Sequence, residues 1–544
     1  MDIFDVVIIG GGPAGLAAAI SAKEQGADTL IIEREKKIGG ILKQCIHDGF
    51  GLITFKEKLS GPEYAERYIK MVKDMNIPVF TSTYVVKVEK QEDIFTLTLV
   101  NSCEGNFKIQ AKSLILANGC RERTSKQVFI NGTRPAGIFS AGTAQYLVNI
   151  NGYLPSRKCV ILGSGDIGLI MARRLTLEGT KVVAVYEAKD TPSGLSRNLV
   201  QCLEDYYIPL YLSHTITRIF GDERVEAVEV MQVDENMKPI KYTEEIVSCD
   251  AIILSVGLIP ENEIAEMLNV DIDSATKGPL VDQNFMTSVS GIFSCGNALH
   301  VNDLVDYVSE SGKLSGKSAA LYVKNKEKSR LIHIDKECKD FLYVVPQYIN
   351  SASENEEVTL YFRSREVINN VEVQVLQGED VLFKRKYKSL KPPEMERIKI
   401  DLSKVNFNID KLEIVMFKDK EQRLIESETL TCIVCPNGCR LSIEKVNGEW
   451  IVQGNLCPKG KEFAVNEMTS PMRTICTTVK TIYKDMPRLA VRTDREIPKG
   501  KIFTLMQEIN KINLEHRVYN GDIIIENILN TGANIIATSS MYLL

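Results

Sequence analysis

The sequence is poor in several features that would point to specialised classes of protein. It has one tryptophan and five histidines among 544 residues. No apolar run approaches the roughly 20 residues that a membrane span needs, so we expect no membrane span. Neither sign of charge dominates, because 66 basic and 71 acidic residues leave a net charge of −5. This balance argues against nucleic acid as a partner.

The cysteines do not form the pattern of a secreted protein. There are thirteen, an odd number, and most stand alone in the sequence, whereas a disulfide framework has an even and regularly spaced set. The first residues also lack the basic start and cleavage site of a signal peptide. We therefore expect a cytoplasmic protein, and its length predicts three or four domains.

A glycine motif follows the first apolar segment. Residues 5–9 have the pattern of a buried parallel strand, and Gly10, Gly12 and Gly15 then open a helical pattern with G-x-G-x-x-G spacing. Such glycines permit a tight turn, let a pyrophosphate approach the backbone and let helix and strand pack closely. A second strand pattern ends at Glu33, 18 residues after Gly15, where a carboxylate can bind a ribose. The pattern predicts a dinucleotide site, and the alternative is a plain tight turn.

The same motif occurs a second time about 150 residues later. Gly163, Gly165 and Gly168 again lie between a strand pattern and a helical one, and Glu187 stands 19 residues after Gly168. A carboxylate there would repel a 2′-phosphate, which favours NADH over NADPH. Further apolar strand patterns return the chain to each site, and the last of them precedes a predicted helix over 305–324.

Together these segments resemble the two-dinucleotide-domain flavoproteins of the pyridine nucleotide–disulfide oxidoreductase superfamily, over residues 1 to about 330. The resemblance implies FAD at the first glycine motif and NAD(H) at the second. In that family the segment matching 291–297 usually ends in an Asp that bonds the flavin ribityl chain, and here Asn297 takes its place. The residues that the resemblance places at FAD are Gly10, Gly12, Pro13, Ala14, Gly15, Glu33, Gly40, Asn118, Gly119, Gly296, Asn297, Val305 and Asp306. Those at NAD(H) are Gly163, Gly165, Asp166, Ile167, Gly168, Glu187 and Gly257.

The chain departs from the disulfide reductases of that superfamily at the flavin. They carry a C-x4-C pair there or a C-x2-C pair in the NAD domain, whereas residues 39–51 contain only Cys45 and have Phe50 at the second position. Cys45 could be a single redox thiol whose pKa is lowered by His47, and His47 could donate a proton. The alternative is that Cys45 is a small buried residue and that His47 is only hydrogen-bonded.

Segments 39–51, 60–64 and 135–145 are similar to a narrower branch, which accompanies anaerobic glycerol-3-phosphate dehydrogenases and related dehydrogenase complexes. This resemblance implies an NAD-linked subunit that exchanges electrons with a partner dehydrogenase or an electron-carrier protein. It is compatible with a homo- or hetero-oligomer.

The last third of the chain has a different residue pattern from the nucleotide-binding segments. Residues 331–428 alternate apolar and polar side chains, which predicts a small antiparallel β-sandwich. Four closely spaced cysteines follow in the pattern C-x2-C-x3-C-x17-C: Cys432, Cys435, Cys439 and Cys457. The grouping of three close cysteines and one distant cysteine favours a 4Fe–4S cluster, while zinc or unligated thiols remain alternatives. The segment also resembles the N-terminal 4Fe–4S domain of molybdopterin oxidoreductases and a cysteine-rich domain found beside the same flavoprotein branch.

The predicted fold class is α/β with two Rossmann-like three-layer nucleotide-binding domains, then an antiparallel β-sandwich and a cysteine-rich, metal-binding α+β domain. The expected bounds are 1–150 with 285–330 for FAD, 151–284 for NAD, 331–428 for the sandwich and 429–544 for the last domain. The predicted function is electron transfer between NAD(H), flavin and the cluster. The alternatives are a stand-alone NADH oxidase or peroxidase that uses Cys45 and has a structural zinc, and a non-catalytic assembly subunit.

Overall fold

The computed structural model describes residues 2–325, 330–335, 339–352, 356–418, 429–446 and 449–542. Strands and helices of a mixed α/β fold occupy the first 325 residues, and mostly antiparallel strands occupy the rest. No helix within these ranges is long and apolar enough to cross a membrane.

The first sheet is built around the central strand Ile3–Ile9, which pairs in parallel with Thr29–Ile32 and Gly105–Leu116. Val6, Val7 and Ile8 are fully buried, because helices or other strands cover both faces of the sheet, as in other parallel sheets. The other strands of this sheet are Val79–Phe80, Tyr84–Gln91, Ile94–Asn101 and Ile292–Ser294. Its helices are Pro13–Glu24, Gly61–Asp74 and Val305–Lys324. The predicted helix over 305–324 is confirmed.

The second sheet is entirely parallel. In spatial order its strands are Ile138–Ser140, Ala251–Leu254, Lys158–Leu162, Lys181–Glu187 and Leu210–Leu212. Its helices are Ala141–Tyr146, Leu147–Asn151, Asp166–Leu177 and Ser196–Cys202. A smaller sheet beside it contains Asn131–Gly132, His214–Phe220, Ala227–Gln232 and Glu245–Ser248. We call these two sheets with their helices the second fold, and the unit around Ile3–Ile9 the first fold.

Pairing places both ends of the second fold earlier than the expected bounds 151 and 284. Strand Ile138–Ser140 joins the second sheet although the sequence analysis put residues up to 150 in the FAD domain. The chain also returns to the first fold before residue 284. Strand Leu258–Pro260 pairs with Cys120–Glu122, and Ala265 packs in the core of the first sheet. Strands of three residues are too short to show a periodic pattern, so only their pairing partners reveal where they belong.

Two sheets share one apolar core between residues 331 and 418. The five-stranded sheet contains Leu331–Asp335, Tyr348–Asn350, Ile368–Gln377, Asp380–Leu390 and Lys411–Lys418, and the three-stranded sheet contains Phe341–Val345, Glu357–Ser364 and Glu396–Asp401. All pairs are antiparallel except Leu331–Asp335 with Lys411–Lys418. Val358, Val373 and Leu412 of the two sheets meet in the core.

The described C-terminal part has two larger sheets and a two-stranded one, which pairs Met472–Arg473 with Ile497–Pro498. Three strands, Thr429–Thr431, Arg440–Val446 and Glu449–Gln453, lie next to helix Pro458–Thr469. The five strands of the other sheet are Asn513–Leu514, Cys476–Thr481, Arg488–Thr493, Ile535–Ala537 and Ile523–Ile525, with helix Ile502–Ile509 beside them. Leu177 of the second fold belongs to the core of this last sheet, so the two units pack together.

Candidate functional site

The three glycines of the first motif are required for different reasons. A Cβ on Gly10, whose φ is +111°, would lie 2.4 Å from the Ala117 carbonyl oxygen, and a Cβ on Gly15 would lie 1.9 Å from the Gly10 carbonyl oxygen. A Cβ on Gly12 would meet nothing closer than the Cα of Gly40, at 3.9 Å. Gly10 and Gly15 therefore serve the packing of the chain, whereas Gly12 leaves free the space that a pyrophosphate needs at a helix N-terminus.

The glutamate predicted at the end of the second strand lies beside this loop. Glu33 is buried, and its two carboxylate oxygens accept hydrogen bonds from the backbone N–H groups of Gly11 and Glu35, each at 2.8 Å. These bonds hold the carboxylate next to the loop. Its remaining lone pairs can still accept from ribose hydroxyls.

An unpartnered acceptor lies near the same loop. Asn118 donates through Nδ2 to the Glu261 carbonyl oxygen at 2.5 Å, while its Oδ1 is buried and has no hydrogen-bond partner among the described residues. A Cβ on Gly119, at φ +76°, would meet open space. A buried acceptor without a partner is costly, and a bound FAD could supply the missing donor.

The helix that starts at Val305 meets the loop over 39–58. Asp306 is buried, and its Oδ1 accepts a hydrogen bond from the Thr54 N–H at 2.8 Å. Asn297 Oδ1 accepts from the Asn302 N–H at 3.1 Å. Gly296 packs against Ala14 on the helix that begins with Pro13. The structure thus brings the helix starts at 13 and 305 to one region.

The second glycine motif is packed by a residue that the sequence analysis missed. A Cβ on Gly163, at φ +94°, would lie 2.1 Å from the Ser255 carbonyl oxygen, and a Cβ on Gly168 would lie 2.6 Å from the Ser255 Cβ. Ser255 Oγ also accepts a hydrogen bond from the Gly168 N–H at 3.0 Å. A Cβ on Gly165 would lie 3.2 Å from the same hydroxyl. Ser255 precedes Gly257 in the strand-plus-glycine pattern, which was the available signal.

Glu187 repeats the role of Glu33. Its Oε2 accepts from the Ser164 N–H at 3.0 Å and from the Ser164 hydroxyl at 2.6 Å. Asp166 begins the next helix, which continues with the half-buried Ile167, and its Oδ1 accepts from Asn198 Nδ2 at 2.7 Å. Burial raises the pKa of Asp166. In both motifs a buried glutamate thus accepts a hydrogen bond from the backbone of the glycine loop, and the residues of both motifs fit a bound dinucleotide.

Of the two interpretations of Cys45, the structure favours the packed residue over the activated thiol. Burial raises the pKa of the Cys45 thiol to about 12, and its Sγ lies 3.7 Å from Gln145 Oε1. Burial also lowers the pKa of His47 to about 4, with Arg197 and Arg173 acting in the same direction against Asp48. A neutral imidazole does not stabilise a thiolate, so His47 does not lower the pKa of Cys45. The cause is a packed environment that the sequence does not reveal.

The four cysteines of the C-terminal pattern lie near one another. The Cys432 N–H donates to the Cys439 carbonyl oxygen at 2.8 Å. The pKa of the Cys432 thiol is raised by burial and then by the neighbouring Cys439, Cys435 and Cys457. No three His, Cys, Asp or Glu side chains in the described ranges are arranged to hold a metal ion. The fit to a cluster or zinc therefore rests on donor chemistry, since four thiols are the set that either would use.

The segment 432–439, here called the cysteine loop, packs against the second fold. A Cβ on Gly438 would lie 3.7 Å from the Ser196 Cβ, and Gln201 Nε2 donates to the Ile433 carbonyl oxygen at 3.5 Å. Both contacts are with helix Ser196–Cys202. Sequence reasoning had no signal for this contact, because more than 200 residues separate the two segments.

Comparison with known proteins supports the nucleotide-binding part. A family model described as pyridine nucleotide-disulphide oxidoreductase matches residues 4–319, and one described as a protein of unknown function, DUF1667, matches residues 458–539. Hydrogen cyanide synthase subunit HcnB of Pseudomonas protegens is 25% identical over 58% of this chain and 69% of its own length. A ferredoxin–NADP reductase of Leuconostoc mesenteroides is 24% identical over 57% of this chain and 88% of its own length.

Among solved structures, thioredoxin reductase of T. acidophilum matches 60% of this chain and 100% of its own, with 21% identity and a TM-score of 0.49. The first family match spans more than half of the present chain and contains both glycine motifs with their glutamates. The chain therefore belongs to the pyridine nucleotide-disulphide oxidoreductase family, and it is an FAD-dependent NAD(P)H oxidoreductase.

Proposed function

We propose that this protein moves electrons between NAD(H), FAD and a 4Fe–4S cluster, as the NAD-linked component of a glycerol-3-phosphate dehydrogenase-like complex. The observation that carries the proposal is the packing of the cysteine loop on the second fold, beside helix Ser196–Cys202. When bound, FAD accepts an electron pair as hydride and can release electrons singly, which is how a cluster takes them. One chain would then connect a two-electron donor to one-electron chemistry.

The task of the chain's own residues in this function is to bind and orient. Gly12 leaves room for one pyrophosphate, Gly165 lies at the matching position of the second motif, and Glu33 and Glu187 hold the two loops in place. The buried Asn118 Oδ1 offers an acceptor on the flavin side. The carboxylate of Glu187 supports NADH over NADPH, because it would repel a 2′-phosphate.

The alternative of a cysteine-based oxidase or peroxidase has less support. A thiol whose pKa is raised to about 12 stays protonated at neutral pH, and a protonated thiol is a poor nucleophile. Cys45 is therefore better explained as a packed residue of the loop over 39–58, here called the flavin-side loop. A partner dehydrogenase or carrier protein then remains the source or destination of the single electrons.

Zinc remains the competing ligand for the four thiols. All twelve cysteines in the described ranges are free, which agrees with a reducing cytoplasm as the proposed location. The grouping of three near cysteines and one distant cysteine favours a cluster over the two C-x2-C pairs that a zinc ribbon has.

The experiment is an anaerobic titration of purified protein with NADH. We expect NADH to bleach the flavin absorbance, and we expect iron and sulfide to be present. Cys432→Ser should keep this bleaching but lower the reduction of a one-electron dye at least tenfold. The matched control is Cys103→Ser, since Cys103 is exposed in a turn far along the chain from the cysteine loop.

Three results would contradict the proposal. A flavin that stoichiometric NADH fails to bleach would indicate a non-catalytic assembly subunit. Zinc in place of iron, with full dye reduction in Cys432→Ser, would remove the cluster from the pathway. Loss of activity in Cys45→Ser together with full activity in Cys432→Ser would identify the oxidase or peroxidase instead.

A further inference from the structure

A pocket lies where three parts of the chain meet. Its walls come from the flavin-side loop at 46–48, from helices Asp166–Leu177 and Ser196–Cys202 of the second fold, and from Cys476 of the C-terminal sheet. The volume of this cavity is about 40 Å³. One water needs about 10–15 Å³ of such space. The pocket therefore has room for roughly three waters, or for one group the size of a phosphate or carboxylate.

The walls of the pocket are rich in positive charge. They contain Arg173, Arg174 and Arg197. Arg174 is already neutralised by Glu178, whose Oε1 lies 2.5 Å from the guanidinium. For the other two arginines, no carboxylate of the described residues lies within ion-pair distance. Two guanidinium groups thus face a small space without a direct counter-charge.

The one acidic side chain among the lining residues interacts with both arginines at longer range, but its direct ion pair is with another cation. Asp48 is paired with Lys58, at 2.7 Å between Oδ2 and Nζ. Among the described residues, Arg173 donates a hydrogen bond only to a neutral group, the Thr474 carbonyl oxygen, at 3.2 Å. The excess positive charge of the pocket therefore favours an anion.

Two polar atoms of the lining lack partners. Arg197 Nε and His47 Nδ1 are both buried, and neither has a hydrogen-bond partner among the described residues. Buried polar groups are normally satisfied, and an exception calls for an explanation such as a missing ligand. A ligand oxygen could accept from the Arg197 Nε–H and, in the matching tautomer, from His47 Nδ1–H.

We propose that this pocket binds the oxyanion group, a phosphate or a carboxylate, of a small molecule. Arg197 and Arg173 would bind the charge and His47 would donate a further hydrogen bond. The site differs from the NAD pyrophosphate site, because helix Asp166–Leu177 lines it only from Ile170 onward, beyond the glycine motif. The proposal does not depend on the cluster or on the partner dehydrogenase.

An anion bound by Arg197 would connect the second fold with the two loops that contact this residue. A Cβ on Gly49 of the flavin-side loop would lie 2.9 Å from Arg197 Nη2, and a Cβ on Gly438 of the cysteine loop would lie 3.8 Å from the Arg197 backbone nitrogen. Arg197 thus contacts both loops. We therefore expect the bound anion to stabilise the full-length protein against unfolding.

The test uses the flavin-loaded, full-length protein. We expect inorganic phosphate, or the carboxylates acetate and malonate, to raise its thermal midpoint with saturation, while chloride at the same ionic strength does not. A response to phosphate alone identifies a phosphate group, and a response to carboxylates alone identifies an organic acid. Arg197→Gln should raise the half-saturating concentration at least tenfold, and Arg218→Gln, at an exposed arginine, should leave it unchanged.

Several outcomes would overturn the proposal. They are a rise that chloride reproduces, no saturable response to any of the three anions, and equal half-saturation in wild type and Arg197→Gln. Displacement of the anion by ADP-ribose would also overturn it, because the site would then belong to the dinucleotide. An unchanged flavin spectrum shows that a variant has folded. If Arg197→Gln does not fold, Arg173→Gln must show the same tenfold loss.

Discussion

At the scale of single residues, the glycines of the first motif differ in what their missing side chains leave free. Gly12→Ala adds a methyl group whose nearest neighbour is 3.9 Å away, so the protein should fold normally. The same methyl group would occupy the space assigned to the pyrophosphate. We expect at least a tenfold loss of FAD affinity at an unchanged thermal midpoint of the apoprotein, measured by FAD titration and calorimetry.

Two further glycine variants serve as controls for this prediction. Gly500→Ala adds a methyl group in open space and should keep full flavin content. Gly15→Ala would place a Cβ 1.9 Å from the Gly10 carbonyl oxygen and should destabilise the fold itself. If Gly12→Ala binds FAD as tightly as the wild type, the pyrophosphate does not lie at this glycine.

The residue scale also shows where sequence reasoning stops. Glu33 and Glu187 were found from their spacing, because a strand that follows a glycine motif has a predictable length. Ser255 was not found, although it packs against Gly163 and Gly168, since the strand-plus-glycine pattern around it marks the strand end but not which side chain packs on the glycine motif. The sequence left open whether Cys45 is an activated or a packed thiol, because its pKa depends on burial by distant parts of the chain, such as the segment of Gln145, 100 residues further along.

At the scale of elements, helices Pro13–Glu24 and Val305–Lys324 approach each other closely. A Cβ on Gly312 would lie 2.1 Å from the Ala14 carbonyl oxygen, and a Cβ on Gly316 would lie 2.1 Å from the Ala18 carbonyl oxygen. These glycines are four residues apart, so they share one face of the helix. Because these glycines have no side chain, the backbones of the two helices contact each other directly beside the first glycine motif.

We therefore expect Gly316→Ala to push the two helices apart. Overpacking of this kind costs about 1–3 kcal/mol, and the loss should appear as a lower temperature of flavin release, followed by flavin fluorescence during heating. Lys313→Ala is the matched control, because Lys313 is exposed on the same helix. An unchanged release temperature in Gly316→Ala would show that the helices do not need this close approach.

At the scale of the whole molecule, a buried ion network joins the C-terminal part to the second fold. Arg473 is 4% exposed, and its guanidinium contacts the Asp205 carboxylate at 2.6 and 2.9 Å and Glu467 at 2.7 Å. Lys499 adds a further contact with Asp205, also at 2.6 Å. Removing one partner of a buried charge network leaves uncompensated charge, which is strongly destabilising.

Arg473→Met should therefore destabilise the protein by about 3–5 kcal/mol and separate the unfolding of the C-terminal part from that of the nucleotide folds. Differential scanning calorimetry would show one transition splitting into two. Arg495→Met, which removes an exposed pair with Asp494, should change stability by less than about 1 kcal/mol. A single unshifted transition in Arg473→Met would mean that the network does not hold the parts together.

The sequence by itself determined the features that are local along the chain. Both glycine motifs, their glutamates, the strands beside them, the helix Val305–Lys324 and the four-cysteine spacing were all visible, because each is encoded within a few turns or strands. Only the tertiary structure decided where strand Ile138–Ser140 pairs, where the cysteine loop packs, and that Arg173 and Arg197 face one pocket with His47. These depend on contacts between residues far apart in the sequence, which no local pattern of side chains records.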